Sequence, residues 1–248
     1  MIPKNYQPVA GLLAGRNILI TGASRGLGRA LCIEAARAGA CVILCGRSAA
    51  KLEPVYDQIL ALGAPTPAIA VLDLATATAV EYDALARVIG EEFGRLDGLV
   101  HAAGLLGDRT PLEHYDVPTW CKVLHVNLTA PFILTQVLLP ALRRSVDASV
   151  IFVSSGVVKQ VRPFWGAYAV AKSGLEAVRG MLYEEVEGEK NIRVNSINPG
   201  RMRTAMRAAA YPAEDPNSLP TPESVSGPFL YVLSALGNKI NGQFLEAQ

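Results

Sequence analysis

The 248-residue chain is poor in the side chains that build metal and redox centres. Its four cysteines, Cys32, Cys41, Cys45 and Cys121, form no CxxC pair, and its three histidines, His101, His114 and His125, fall at no ligand spacing. No metal site is therefore expected. A chain of this length can bury a core without disulfides, and Cys41 and Cys45 lie in an apolar run that reads as core. Charge of one sign is also missing. The 23 basic and 22 acidic residues leave a net +1, and their scatter offers no surface for nucleic acid or an anionic membrane. No uninterrupted apolar run approaches the roughly 18 residues of a membrane span. The greasiest stretch, Val123 to Leu142, is broken by Asn127, Gln136 and two prolines and reads as a buried or interface helix. The first apolar stretch, Val9 to Ala14, is short for a signal segment and has no basic lead. Neither a repeat nor a low-complexity tract appears. With half its residues hydrophobic, the chain is expected to fold, and a soluble cytoplasmic protein follows as the expectation.

What is present is alternation. Short apolar, β-rich runs at Asn17–Thr21, Cys41–Cys45, Ala68–Leu72, Leu99–His101, Ser149–Val153, Arg193–Ile197 and Gly242–Leu245 are separated by longer stretches with helical spacing. Leu52, Val55, Ile59 and Leu62 make one helical face; Tyr82, Leu85, Ile89 and Phe93 make another. Continuously apolar strands alternating with amphipathic helices predict a doubly wound α/β fold. Its mostly parallel seven-stranded sheet is buried on both faces. No linker divides residues 1–248, so a single domain is expected. The proline-rich stretch Tyr211 to Pro228 interrupts the pattern and reads as an insertion over the carboxyl edge of the sheet.

The first strand runs into Thr21-Gly22-Ala23-Ser24-Arg25-Gly26-Leu27-Gly28, and a helix follows. Glycines at a strand-to-helix turn let the backbone approach a pyrophosphate, and the helix N-terminus offers free N–H groups to it. Taken alone, the same turn also suits tight packing with no ligand. No Lys-Ser/Thr pair follows, which excludes a P-loop. At the end of the second strand an NAD site usually carries an acid for the ribose 2′-hydroxyl. This chain has Gly46-Arg47 there, with Arg25 in the glycine turn. Two guanidiniums can flank a 2′-phosphate, or they can be ordinary surface arginines.

Tyr168 and Lys172 are four residues apart on a predicted helix, hence on one face. An ammonium beside a phenol favours the phenolate and lowers its pKa, which suits proton transfer near neutrality. Ser155, thirteen residues before Tyr168, ends a buried strand, where its hydroxyl could hold a substrate oxygen as charge develops.

This ordered set resembles the short-chain dehydrogenase/reductase superfamily from about Ala14 to Leu245. The stretches Gly104-Leu105-Leu106-Gly107-Asp108, Thr204-Ala205-Met206-Arg207-Ala208 and Glu214-Asp215-Pro216 resemble, within it, the bacterial YciK-type oxidoreductases. The resemblance implies a Rossmann-type fold and Ser155, Tyr168 and Lys172 as catalytic residues, with Asn127 organising a water relay to the lysine. For NADP(H) it implies contacts from Gly22, Ser24, Arg25, Gly26, Leu27, Gly28 and Arg47. Asp73 and Leu74 would serve the adenine side, and Ala103 and Gly104 the pocket floor. Tyr168 and Lys172 would face the ribose, and Pro199, Gly200 and Thr204 the nicotinamide. It further implies a homodimer or homotetramer paired through helices Thr119–Leu142 and Gly166–Val186. One departure stands out. The superfamily usually has one or two asparagines before Ala-Gly at the end of the fourth strand, whereas this chain reads His101-Ala102-Ala103-Gly104. His101 is therefore expected to be a structural donor.

The expected substrate is a small carbonyl or alcohol compound. Leu105, Val157, Phe164, Trp165 and Tyr211 are candidate walls of its pocket. Arg201, Arg203 and Arg207 could meet an anionic group or form a solvated face. The alternative function is a non-catalytic NADP(H)-binding sensor or scaffold on the same fold, for which the complete Ser-Tyr-Lys set would be superfluous.

Overall fold

The computed structural model describes Ile2 and residues 6–248. Seven strands form one sheet: β1 (Asn17–Thr21), β2 (Cys41–Gly46), β3 (Ala68–Val71), β4 (Gly98–His101), β5 (Ala148–Val153), β6 (Ile192–Asn198) and β7 (Phe244–Glu246). Their order is β3-β2-β1-β4-β5-β6-β7. Every pairing is parallel, one step beyond the mostly parallel sheet expected. The order reverses between β1 and β4, and such a switch opens a crevice at the carboxyl ends of the strands.

Side chains alternate across the pleat and feed two cores. Ile18, Ile20, Val42, Leu44 and Ile151 face helices α1 (Gly26–Arg37), α2 (Ala49–Ala61) and, later in the chain, α8 (Gly227–Leu233). Leu19, Ile43, Leu99, Phe152 and Val194 face α3 (Ala79–Glu92), α5 (Ala130–Arg143) and α6 (Gly166–Val186). Because both faces are covered, the strands read as continuous apolar runs rather than alternating ones.

Helix α4 (Val117–Leu124) continues through a π-helical turn, His125–Thr129, into α5. This run, Val117–Arg143, is long and apolar enough in composition to cross a membrane. In the fold, its Leu134, Leu138 and Leu142 are fully buried against the sheet. Helix α7 (Ala205–Ala210) and the proline-rich stretch lie between β6 and α8. The last strand begins two residues later than its sequence suggests. Gly242 has φ 69°, a left-handed turn conformation incompatible with extended pairing.

Candidate functional site

The glycine turn is held by backbone packing. Gly22 and Gly26 have φ of 71° and 56°, values that an L side chain resists. A Cβ on Gly22 would stand 2.8 Å from the Ala103 Cα, and one on Gly28 would stand 2.3 Å from the Gly22 carbonyl oxygen. Thr21 locks the turn to the end of β4: its hydroxyl accepts from the Ala103 N–H at 3.0 Å and donates to the Val100 carbonyl at 3.4 Å. No side chain caps α1, so its first-turn N–H groups remain for a ligand. Leu27 is buried, Ser24 half-buried and Arg25 exposed. Arg47 is exposed just past β2, the strand paired with β1 at Thr21 and Cys45. Asp73 follows β3, and one of its carboxylate oxygens accepts from the Ala75 N–H at 3.0 Å; Leu74 is buried beside it. Gly104 lies against Asn127, whose Oδ1 would be 3.4 Å from a Cβ there. These groups share one sheet edge. They give a turn of uncapped backbone N–H groups with two exposed arginines, Arg25 within it and Arg47 at the end of the neighbouring strand, which fits a phosphorylated dinucleotide.

Ser155, Tyr168 and Lys172 meet at the same edge. Ser155 follows β5, and its hydroxyl accepts from the Val157 N–H at 3.4 Å, close enough to the Tyr168 phenol to favour its ionised form. Tyr168 lies on the first turn of α6 and is 8% exposed; Lys172, one turn on, is 4% exposed. The Lys172 ammonium donates to the Val153 carbonyl at 2.6 Å and lies 5.9 Å from the Tyr168 ring centroid. The expected lowering of the phenol pKa by this lysine is not what the geometry gives. Burial raises the Tyr168 pKa above its ordinary value, and the nearby Ser155 hydroxyl only partly opposes it. Burial also lowers the Lys172 pKa to about 8, with Glu176 acting in the opposite direction.

Asn127 sits in the π-helical turn, fully buried. Its side chain is used up locally: Oδ1 accepts from the Leu105 N–H at 2.8 Å and Nδ2 donates to the Leu105 carbonyl at 2.7 Å. The side chain therefore braces the loop after β4. The π turn is the local feature that alters backbone bonding beside the lysine, with the Ala130 N–H donating to the His125 carbonyl.

His101 is the structural donor its position suggested. Thr135 spends its one hydroxyl proton on the Pro131 carbonyl at 2.7 Å. The His101 Nε2, 2.8 Å from the Thr135 oxygen, must then be the donor. The ring stacks on Phe152 with centroids 4.9 Å apart. Burial, aided by the Lys172 charge, pulls the His101 pKa from 6.5 down to about 3. The unfolded chain thus binds a proton below pH 6.5 that the folded chain refuses until about pH 3, so stability falls as pH falls through that window. Between pH 6.5 and 5 this one group should cost about 2 kcal/mol. His101→Asn keeps a donor for Thr135 and should remove that slope. Urea unfolding of both proteins at the two pH values checks it, and parallel slopes would exclude the effect.

The segment after β6 closes over the site. Gly200 has φ 74°, and its N–H donates to Asn198 at 3.1 Å. Thr204 caps α7 by accepting from the Arg207 N–H at 3.2 Å. Its methyl would be 3.5 Å from a Cβ on Gly26, so the glycine turn and this segment nearly touch. The C-terminal residues clasp it from behind. Gln248 donates to the carbonyls of Pro199 and Arg201 at 2.6 and 2.8 Å. Glu246 accepts from Lys159 at 2.5 Å and from Asn198 at 2.8 Å.

Of the anticipated walls, Leu105, Val157 and Trp165 join Tyr168 in an apolar cluster with Tyr115 and Met206, and Tyr211 packs on Trp165 at 6.2 Å. Phe164 does not join them. It is half exposed and occupies a left-handed conformation, φ 68°, which turns the chain at the mouth of the site. Sequence reasoning passed over Arg109, Glu246 and Gln248, whose partners are distant in the chain.

A switch-point crevice that holds a glycine turn and a Ser-Tyr-Lys group belongs to one class of oxidoreductase. The model of the short chain dehydrogenase family matches residues 16–215, and the chain is a member of that family. It is similar to the uncharacterised oxidoreductase YciK of Escherichia coli K12, with 43% identity over 244 residues, 98% of this chain and 96% of the relative. A short chain dehydrogenase from Pseudomonas syringae superposes with a TM-score of 0.97 at 48% identity, with all of both chains covered. Another from Escherichia coli CFT073, complexed with NADPH, superposes with a TM-score of 0.93 at 42% identity, covering 99% of this chain and 100% of the other.

Proposed function

We propose that the protein is an NADP(H)-dependent oxidoreductase acting on a carbonyl/alcohol pair by a Ser-Tyr-Lys mechanism. The observation that carries this reading is the convergence of Ser155, the buried Tyr168 phenol and the buried Lys172 ammonium at the edge that also holds the glycine turn. Gly22, Ser24, Gly26, Leu27 and Gly28 would take the pyrophosphate, Arg25 and Arg47 the 2′-phosphate, and Asp73 and Leu74 the adenine side. Ala103, Gly104, Pro199, Gly200 and Thr204 would line the nicotinamide end, with Lys172 at its ribose. When bound, the dinucleotide supplies or accepts the hydride. The Tyr168 phenol gives its proton to the carbonyl oxygen in reduction and takes it back in oxidation. Ser155 donates a hydrogen bond to the same oxygen and stabilises its developing charge. A raised phenol pKa keeps Tyr168 protonated at neutral pH and ready to act as the acid.

Cofactor choice is the direct test. A charge-assisted bond from an arginine to the 2′-phosphate contributes about 1.5–3 kcal/mol, more than tenfold in affinity. NADPH should therefore bind more than tenfold tighter than NADH, and Arg47→Ala should erase most of that difference. Equal or tighter binding of NADH by the unaltered protein overturns the assignment.

The same reading includes a homodimer or homotetramer. Phe132 on α5 and Val170 and Met181 on α6 are 47%, 48% and 57% exposed, large apolar groups on the two helices through which pairing is expected. Light scattering should give a mass two or four times 26.3 kDa, and the double variant Phe132→Asp/Val170→Asp should shift it to the monomer. A wild-type species at the monomer mass refutes the pairing.

A further inference from the structure

One cation at the mouth of the site is left without a task by the foregoing. Arg109, in the loop after β4, packs its guanidinium into the angle between two rings, 4.3 Å from the centroid of Trp165 and 5.4 Å from that of Tyr211. One of its nitrogens donates to the Ala210 carbonyl at 3.0 Å. Among the described residues no carboxylate pairs with it. Trp165 in turn tilts onto Tyr168 with centroids 5.7 Å apart, so the guanidinium stands one indole away from the phenol. Phe164, the residue before Trp165, has a left-handed backbone with φ 68°.

Of the other arginines nearby, Arg203 and Arg207 are occupied, whereas Arg201 is mostly in solvent. Arg207 makes a two-pronged pair with Glu214 at 2.5 and 2.7 Å and covers the Tyr211 ring at 3.8 Å. Arg203 donates to the carbonyls of Pro216 and Leu219 at 2.8 and 3.4 Å. Arg201 is 72% exposed and 3.9 Å from Glu214. Those contacts hold the proline-rich stretch together and leave little for a ligand. Arg109 differs: it is exposed, it lies over the Trp165 ring and beside that of Tyr211, and most of its N–H fork stays open. A fork held in this way suits a planar anion that can accept two parallel hydrogen bonds.

The geometry points to Arg109 as the group that recognises a carboxylate on the substrate. Resting on the carbonyl-reductase reading above, it narrows the substrate class to carbonyl acids whose carboxylate lies about one aromatic ring from the reacting carbon. A neutral carbonyl compound of the same size would leave the fork unpaired.

The test compares 4-carboxybenzaldehyde with its methyl ester, methyl 4-formylbenzoate, under NADPH. The unaltered protein should favour the acid more than tenfold in kcat/KM. In Arg109→Leu that ratio should collapse towards one, and Arg109→Lys, which keeps the charge without the fork, should fall between. A wild-type ratio of one or less, or a ratio unchanged by Arg109→Leu, overturns the inference while leaving the reductase reading intact. If neither aldehyde turns over, the reductase reading fails for this panel. Binding then decides about Arg109: quenching of tryptophan fluorescence by 4-carboxybenzaldehyde in the NADP⁺ complex should weaken at least tenfold in Arg109→Leu. Undiminished binding in that variant overturns the assignment.

Discussion

Tyr168→Phe is expected to lower kcat by about 10³-fold on any carbonyl compound that the protein reduces. A positioned general acid contributes roughly 10²–10⁴-fold, and this buried phenol is the group proposed for that role. Phenylalanine preserves the ring that packs with Val157, Ala167 and Trp165, so the fold should persist. NADPH affinity should stay within about twofold of the unaltered value. The loss should appear equally in kcat and kcat/KM, the pattern of an interaction made only in the transition state. Lys172→Ala should behave differently, weakening cofactor binding as well as turnover. Steady-state kinetics with a fluorescence titration of NADPH separates the two. Near-normal turnover in Tyr168→Phe would remove the phenol from the mechanism.

Gly28→Ala is expected to have the second largest effect, on both stability and binding. The added methyl would meet three backbone atoms at once: the Gly22 oxygen at 2.3 Å, the Gly22 carbonyl carbon at 2.7 Å and the Thr21 oxygen at 3.0 Å. None of these can rotate away as a side chain would. Helix α1 must then back off from β1, a central strand paired on both sides. Overpacking of this kind costs about 1–3 kcal/mol, and the cradle that admits the pyrophosphate opens. NADPH affinity should fall more than a hundredfold. Gly90→Ala is the control. There the methyl meets only the tip of Arg144 at 3.2 Å, and alanine's better helix propensity should hold stability level or raise it by up to about 1 kcal/mol. Urea unfolding and cofactor titration of both variants give the comparison. Unchanged NADPH binding by Gly28→Ala would show that the glycine turn is not the phosphate cradle.

These effects differ in how visible they were in the sequence. The strands could be read because burial on both faces imposes continuous apolar runs, and the Tyr168–Lys172 pair because helical geometry is local. Residues whose role depends on a partner far along the chain could not be read. Arg109 meets Ala210 across the fold, and Asn127 spends its amide on Leu105. The charge state of Tyr168 was missed for a related reason. Spacing alone shows that a lysine is near, whereas burial, invisible in the sequence, is what raises the phenol's pKa. Gly242 misled the placement of β7 because its left-handed conformation leaves no mark in an apolar pattern.

The sheet order has a further consequence during synthesis. β1 is made first, yet one of its two neighbours is β4, with Ile18 opposite Gly98. Until the ribosome has released β4, a nascent chain carrying β1 to β3 exposes one apolar edge of β1 with every N–H and C=O along it unpaired, a template for other chains. Parallel pairing across such a distance in sequence forms late. Fragments ending before β4 should therefore aggregate rather than fold, and the cell's chaperones meet this chain as a long half-sheet waiting for its middle strand.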